Sequence, residues 1–249
     1  MHKEFNYILY LMHIQKSGGT SVGMCITNSG VKESSRGNMQ WDIKDPTLPD
    51  PTVGELQWNE PGLYGIHNFY DLPYRYIVPV RDPVSRYISN IYQSLCAKYS
   101  HYKNYAKYLH HDANDHESGY THGQPLDTEF WDELLINDNR RELDNIYIRS
   151  FLKKHNSNHL ITLEDVDECI KLIDSDRNIC FVFQNTFRDS FNRAMKFLEL
   201  DVTWMDKHER RKVQYDYSKN IKTRHMDIIR SENLYDIHLY NYLATKFKD

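Results

Sequence analysis

The sequence predicts an α/β protein with a mostly parallel sheet flanked by helices. Two observations predict it. Three apolar runs, 5–14 (FNYILYLMHI), 75–80 (RYIVPV) and 179–184 (ICFVFQ), read as strands. Each is followed by a short turn and then by apolar residues at helical spacing, so strand–loop–helix recurs along the chain.

The elements follow in order. After the first run, residues 15–21 (QKSGGTS) form a Gly-containing turn into a helix from about Thr20 to Thr27. Residues 28–61 carry Pro46, Pro49, Pro51 and Pro61 among many polar residues and read as loop. Residues 63–69 (LYGIHNF) read as a strand end. Pro79 donates no ladder hydrogen bond, which places it at a strand end or edge. Asp82-Pro83 reads as an N-cap and first helical residue, with Val84, Tyr87, Ile88, Ile91, Tyr92, Leu95 and Cys96 forming the apolar face behind them. Residues 98–126, rich in Tyr and His, read as a long surface excursion. Asp127 caps a helix through Ile136, and a further helix spans about 140–153. His159 to Thr162 is expected as a short strand. Thr162 and Asp165 form a capping box for a helix over 163–173. Thr186 caps a helix whose buried face is Phe187, Phe191, Ala194, Met195 and Leu198, and a last helix covers 226–247. The whole chain, 1–249, reads as a single domain.

Composition narrows the function classes. Of 249 residues, 40% are hydrophobic and 27% charged, which excludes disordered and collagen-like chains. A net charge of -4 leaves no global footprint for nucleic acid, so no nucleic-acid partner is expected. No apolar run reaches the length of a membrane span, and Tyr7–Met12 is too short for a secretion signal. Cys25, Cys96, Cys169 and Cys180 are scattered without a CxxC pair, which argues against a zinc ribbon or disulfide scaffold. A reduced, cytoplasmic protein is expected. The histidines His101, His110, His111, His116 and His122 match no ordered ligand spacing, so no metal is expected.

The chemistry concentrates in two segments. The first, His13-Ile14-Gln15-Lys16-Ser17-Gly18-Gly19-Thr20-Ser21, links a strand to a helix. Paired glycines let the backbone curl round an anion, and the helix start supplies N–H groups and positive potential. Lys16 adds a full charge; Thr20 and Ser21 add hydroxyl donors. Because Lys16 precedes the glycines, the segment is not the G-x-x-x-x-G-K-[ST] loop of ATP-using enzymes. In the second segment, Arg81-Asp82-Pro83-Val84-Ser85-Arg86-Tyr87-Ile88-Ser89, Arg81 at a strand end can grip a phosphate bidentately. Ser85 and Ser89, four apart on the following helix, share a face.

HIQKSGGTS resembles the H-I-P-K-[TS]-G-G-T-S loop of the family 2 carbohydrate sulfotransferases, relatives of the heparan sulfate 2-O- and 6-O-sulfotransferases, with Gln15 where Pro is usual. The second segment is similar to that family's R-D-P-x-x-R-x-x-S. The resemblance implies a P-loop-type sheet and the donor 3′-phosphoadenosine 5′-phosphosulfate (PAPS). It also implies that Lys16, Ser17, Gly18, Gly19, Thr20 and Ser21 hold the 5′-phosphosulfate, that Arg81 and Ser89 hold the 3′-phosphate, and that the acceptor is a hydroxyl, foremost of a saccharide. In the family a Gly-His step before the 3′-phosphate strand supplies the base. Gly65-Ile66-His67 is one residue longer, and His67 is assigned as base with His13 as its rival. Leu143–Arg149 (LDNIYIR) resembles a D-N-x-x-x-R segment lining the active site, so Asn145 and Arg149 are expected on the acceptor side. Phe183–Phe191 is similar to a structural segment of the family, and the basic run Lys207–Lys212 to a loop that can close over the nucleotide. Animal members carry an N-terminal membrane helix of which this sequence shows none. Two other classes stay open: an ATP- and Mg²⁺-dependent kinase, and a non-catalytic nucleotide- or glycan-binding protein.

Overall fold

The computed structural model describes residues 5–38, 52–60, 62–94, 127–137, 144–154, 159–204 and 220–247. Five strands form one sheet: β1 (Ile8–Met12), β2 (Glu33–Asn38), β3 (Leu56–Glu60), β4 (Tyr74–Val80) and β5 (Ile179–Phe183). Their order is β2-β3-β1-β4-β5, and every neighbouring pair is parallel. The helices are α1 (Gly19–Asn28), α2 (Pro83–Ser94), α3 (Thr128–Asp132), α4 (Ile146–Leu152), α5 (Leu163–Ser175), α6 (Phe187–Phe197), α7 (Thr223–Glu232) and α8 (Leu234–Phe247).

The three expected strands run apolar throughout because helices cover both faces of the sheet. Leu9, Leu11, Ile77 and Val182 face α1 and α6, meeting Val22, Ile26, Phe191 and Met195. Ile8, Tyr10, Tyr76, Val78 and Phe181 face α4, α5 and α8, meeting Ile148, Phe151, Val166, Leu239 and Leu243. Each such side chain contributes about 1.5–3 kcal/mol on full burial. A third cluster joins α2, α3 and α7 through Tyr87, Ile91, Trp131 and Ile229.

Several expectations are corrected. Residues 28–61 hold two strands, β2 and β3. The β2 sequence, ESSRGN, has no apolar run to advertise it, and it pairs only with β3 at the sheet edge. Residues 66–69 form a single 3₁₀ turn rather than a strand end. His159–Thr162 joins no strand. Thr186 occupies the N-cap position of α6 without a side-chain cap bond, its carbonyl accepting instead from the Ser190 hydroxyl at 2.8 Å. The last helical stretch divides at Asn233 into α7 and α8. Pro79 does lie in an interior strand, but beyond Leu11↔Ile77, the last β1–β4 pair. Asp82 caps α2, accepting from the Ser85 N–H at 2.8 Å. Asp165 accepts the Thr162 N–H at 2.8 Å, completing the reverse arm of the capping box. The segment 98–126, the basic run Lys207–Lys212 and Cys96 lie outside the described residues.

Candidate active site

The strand order creates a crevice. After β1 the chain moves toward β3 and β2; after β4 it moves the other way, toward β5. Adjacent parallel strands whose connections leave in opposite directions open a gap at their carboxyl ends, where ligands of α/β proteins bind. The loop 13–18 leaves β1 there, and Arg81 leaves β4 there.

The loop is built around its glycines. Lys16 (φ 64°) and Gly18 (φ 98°) are left-handed, with Ser17 between them outside that region. Alternating hands can turn successive N–H groups toward one side, as in an anion nest. At Gly19 an added Cβ would stand 1.8 Å from the His13 ring, and at Gly18 2.9 Å from the Phe187 ring. The loop thus lies between the end of β1 and the start of α6. Gly23 lets α1 approach Trp58 of β3, where a Cβ would meet the indole at 1.9 Å. The α1 N-terminus has no side-chain cap bond and no acidic residue in its first turn, a build that suits an anion. Lys16, Thr20 and Ser21 are half-buried around that end. Ser17 differs: it is fully buried, and its hydroxyl donates to the Ile14 carbonyl at 2.5 Å. Its side chain shapes the loop instead of facing a ligand.

Across the crevice, Arg81 is half-buried and its backbone is held by Tyr147 of α4. Ser89 is half-buried two turns into α2, beside the fully buried Arg86 and Asn90.

Asn145 and Arg149, expected to face an acceptor, are committed internally. Arg149 is 2% exposed, and its guanidinium donates to the Asp144 carboxylate at 2.8 and 3.0 Å, the Asp144 carbonyl at 3.0 Å and the Lys154 carbonyl at 2.8 Å. Asn145 precedes α4 in a left-handed conformation, and its Oδ1 accepts the N–H groups of Tyr235 and Asp236 at the start of α8, at 3.1 and 3.0 Å. Asp236 returns the contact, accepting the N–H groups of Tyr147 and Ile148 at 2.9 and 3.0 Å. Each helix start is capped by a residue of the other. The partners of Asn145 lie some ninety residues away and those of Arg149 five residues to either side, and the spacing of a helix face brings out neither.

Burial raises the Asp236 carboxyl from 3.8 to about 6, against the opposing pull of the Arg86 guanidinium and the two N–H donors. The folded state therefore holds this proton more tightly than the unfolded chain. The contribution to stability is fully present below about pH 4 and is lost as pH rises through about 6, a span of about 3 kcal/mol. Melting wild type and Asp236→Asn side by side from pH 7.5 to 5 checks this. The gap in stability is expected to widen by about 1 kcal/mol toward pH 5; a pH-independent gap refutes it.

His67 is not brought to the crevice. It lies on the 3₁₀ turn Ile66–Phe69, stacked on Tyr74 at 3.7 Å between ring centroids, with Nδ1 3.1 Å from the Tyr76 hydroxyl. Tyr74 opens β4 and pairs with Ile8 at the start of β1, so it marks the amino edge of the sheet. At about 3.3 Å per residue, that edge is about 20 Å from Val80 and the Arg81 end of the strand. Partial burial lowers the His67 pKa, which a nearby Asp176 opposes and Lys153 reinforces, so the neutral ring is favoured. It lines an open pocket of about 490 Å³ with Phe69, Tyr70, Asp71 and Tyr74. The histidine beside the loop is His13, whose ring lies against Gly19 and edge-on to Trp58 at 5.3 Å.

Three contributors were missed from sequence: Phe187 against Gly18, Trp58 under α1, and Tyr147 on Arg81. Only the glycines signal the first two: Gly18 by its place in the turn, and Gly23 because a glycine inside a helix points to a close approach.

An all-parallel sheet flanked by helices, with its switch point between β1 and β4, defines an α/β protein. The model of the Sulfotransferase family matches residues 3–243, and the chain belongs to that family. A comparison with curated proteins finds no match. Among the described residues, no helix is long and apolar enough to cross a membrane.

Proposed function

We propose that the protein transfers a sulfuryl group from PAPS to an acceptor hydroxyl, of a saccharide by the resemblance of its loop. The observation that supports this best is the pairing of an uncapped, lysine-bearing helix N-terminus with an arginine across one switch-point crevice. Two anion sites of different build suit a bisphosphorylated nucleotide: a glycine loop packed against His13 and Phe187 ahead of an uncapped helix N-terminus, and an arginine across the crevice. Bound PAPS supplies the sulfuryl group and a phosphate leaving group. Lys16 and the N-terminal turn of α1, with Thr20 and Ser21, hold the 5′-phosphosulfate and stabilise negative charge developing on the leaving oxygen. Arg81 and Ser89 hold the 3′-phosphate.

The acceptor proton needs a base. The resemblance assigns His67, whereas the geometry favours His13 beside the loop. Assaying His13→Ala and His67→Ala together decides it: the base is the residue whose loss abolishes turnover while nucleotide affinity stays.

Calorimetric titration tests the donor assignment, using the product 3′-phosphoadenosine 5′-phosphate (PAP), adenosine 5′-phosphate and ATP–Mg²⁺. PAP is expected to bind most tightly, and Arg81→Ala to weaken it by about 10–100-fold without affecting adenosine 5′-phosphate. A preference for ATP–Mg²⁺ would turn the reading toward a kinase. Binding of PAP without turnover on any acceptor hydroxyl would turn it toward a binding protein.

A further inference from the structure

We propose that Tyr147 is a positioning residue for Arg81, clamping its backbone so that the guanidinium is presented to the crevice. The proposal rests on the reading of Arg81 as the 3′-phosphate ligand. The Tyr147 hydroxyl accepts from the Arg81 N–H at 2.8 Å and donates to the Arg81 carbonyl at 2.9 Å. One phenol oxygen thus engages both backbone groups of a single residue, which holds the two flanking peptide planes together. The residue held is the first beyond β4, where the ladder with β5 closes at Val80↔Phe183.

The clamp is itself rigidly mounted. Tyr147 is 1% exposed, its own N–H donates to the buried Asp236, and the Arg86 guanidinium stands 5.9 Å from its ring centre. Asn145, the residue before α4, is fixed to α8 through its side chain. A long side chain magnifies backbone motion: roughly 10° of rotation at Arg81 swings the guanidinium by about 1 Å, beyond the tolerance of a preorganised site. The Tyr147 hydroxyl therefore serves ligand binding without touching the ligand.

Tyr147→Phe removes both bonds and keeps the ring. In titrations with PAP and adenosine 5′-phosphate, the variant is expected to lose about fivefold to tenfold in PAP affinity. Adenosine 5′-phosphate, which lacks the 3′-phosphate, should bind as to wild type. In an Arg81→Ala background the same change should cost PAP nothing further. Equal weakening of both nucleotides, or none of either, overturns the proposal and leaves Tyr147 a packing residue. The Arg81 reading fails separately, in the wild type, if PAP is not preferred over adenosine 5′-phosphate. A measurement on the unaltered protein guards against a variant that does not fold: the Arg81 amide should exchange with solvent as slowly as the amides of central β4, and rapid exchange overturns the clamp.

Discussion

Replacing Lys16 by alanine is expected to slow turnover by about 10²–10³-fold while the protein stays folded. A preorganised donor aimed at developing charge is worth that much in a site of this kind. Lys16 is half-buried and held in a left-handed conformation that non-glycine residues rarely adopt. That backbone costs on the order of 1–3 kcal/mol, and the tightly packed loop sustains it. Alanine in the same conformation keeps the backbone cost and loses only the ammonium. Melting temperature should change little, and PAP should still bind through Arg81 and the α1 N-terminus. The rate constant for transfer is the quantity that should fall. A variant that turns over normally would remove Lys16 from the chemistry and weaken the sulfotransfer reading of the loop.

The second large effect is on stability. Arg149→Ala is expected to cost about 3–5 kcal/mol, because it removes the buried cation that pairs with the Asp144 carboxylate and donates to two carbonyls. For a chain of this size that is a fall of roughly 10 °C in melting temperature. Asp144 keeps 14% of its side-chain surface in water, which places the effect toward the lower end of that range. Thermal unfolding reads it directly. The acceptor-side role predicts the opposite pattern: an unchanged melting temperature and a raised KM for the acceptor.

What the sequence disclosed was what is local. The strand-to-helix turn after β1 was legible because its glycines, lysine and hydroxyls are contiguous and follow a strand whose apolar run is unmistakable. Arg81 and the Asp82 cap were legible for the same reason. β2 was not, since a polar edge strand is decided by the neighbour it pairs with. Asn145 was less legible, since the groups it serves at Glu232–Asp236 are named by tertiary structure alone, and Arg149 turns back on Asp144 and Lys154, five residues to either side, a spacing the helix face does not bring out. His67 shows the same limit. Its position in the chain between the loop after β1 and Arg81 put it near them, and the path of residues 62–70 carries it away: an added Cβ at Gly62 would touch the His13 backbone, whereas His67 stacks on the opening residue of β4.

The mutual capping of α4 and α8 has a consequence for biogenesis. During synthesis the loop after β1 and Arg81 leave the ribosome early, but the carboxylate that receives the first amides of α4 belongs to Asp236. Until that residue emerges, α4 lacks its lid and Tyr147 lacks its mounting. A nascent chain therefore carries Arg81 for most of translation without the side chain that holds its backbone. The fixed geometry at the end of β4 becomes one of the last features the polypeptide acquires.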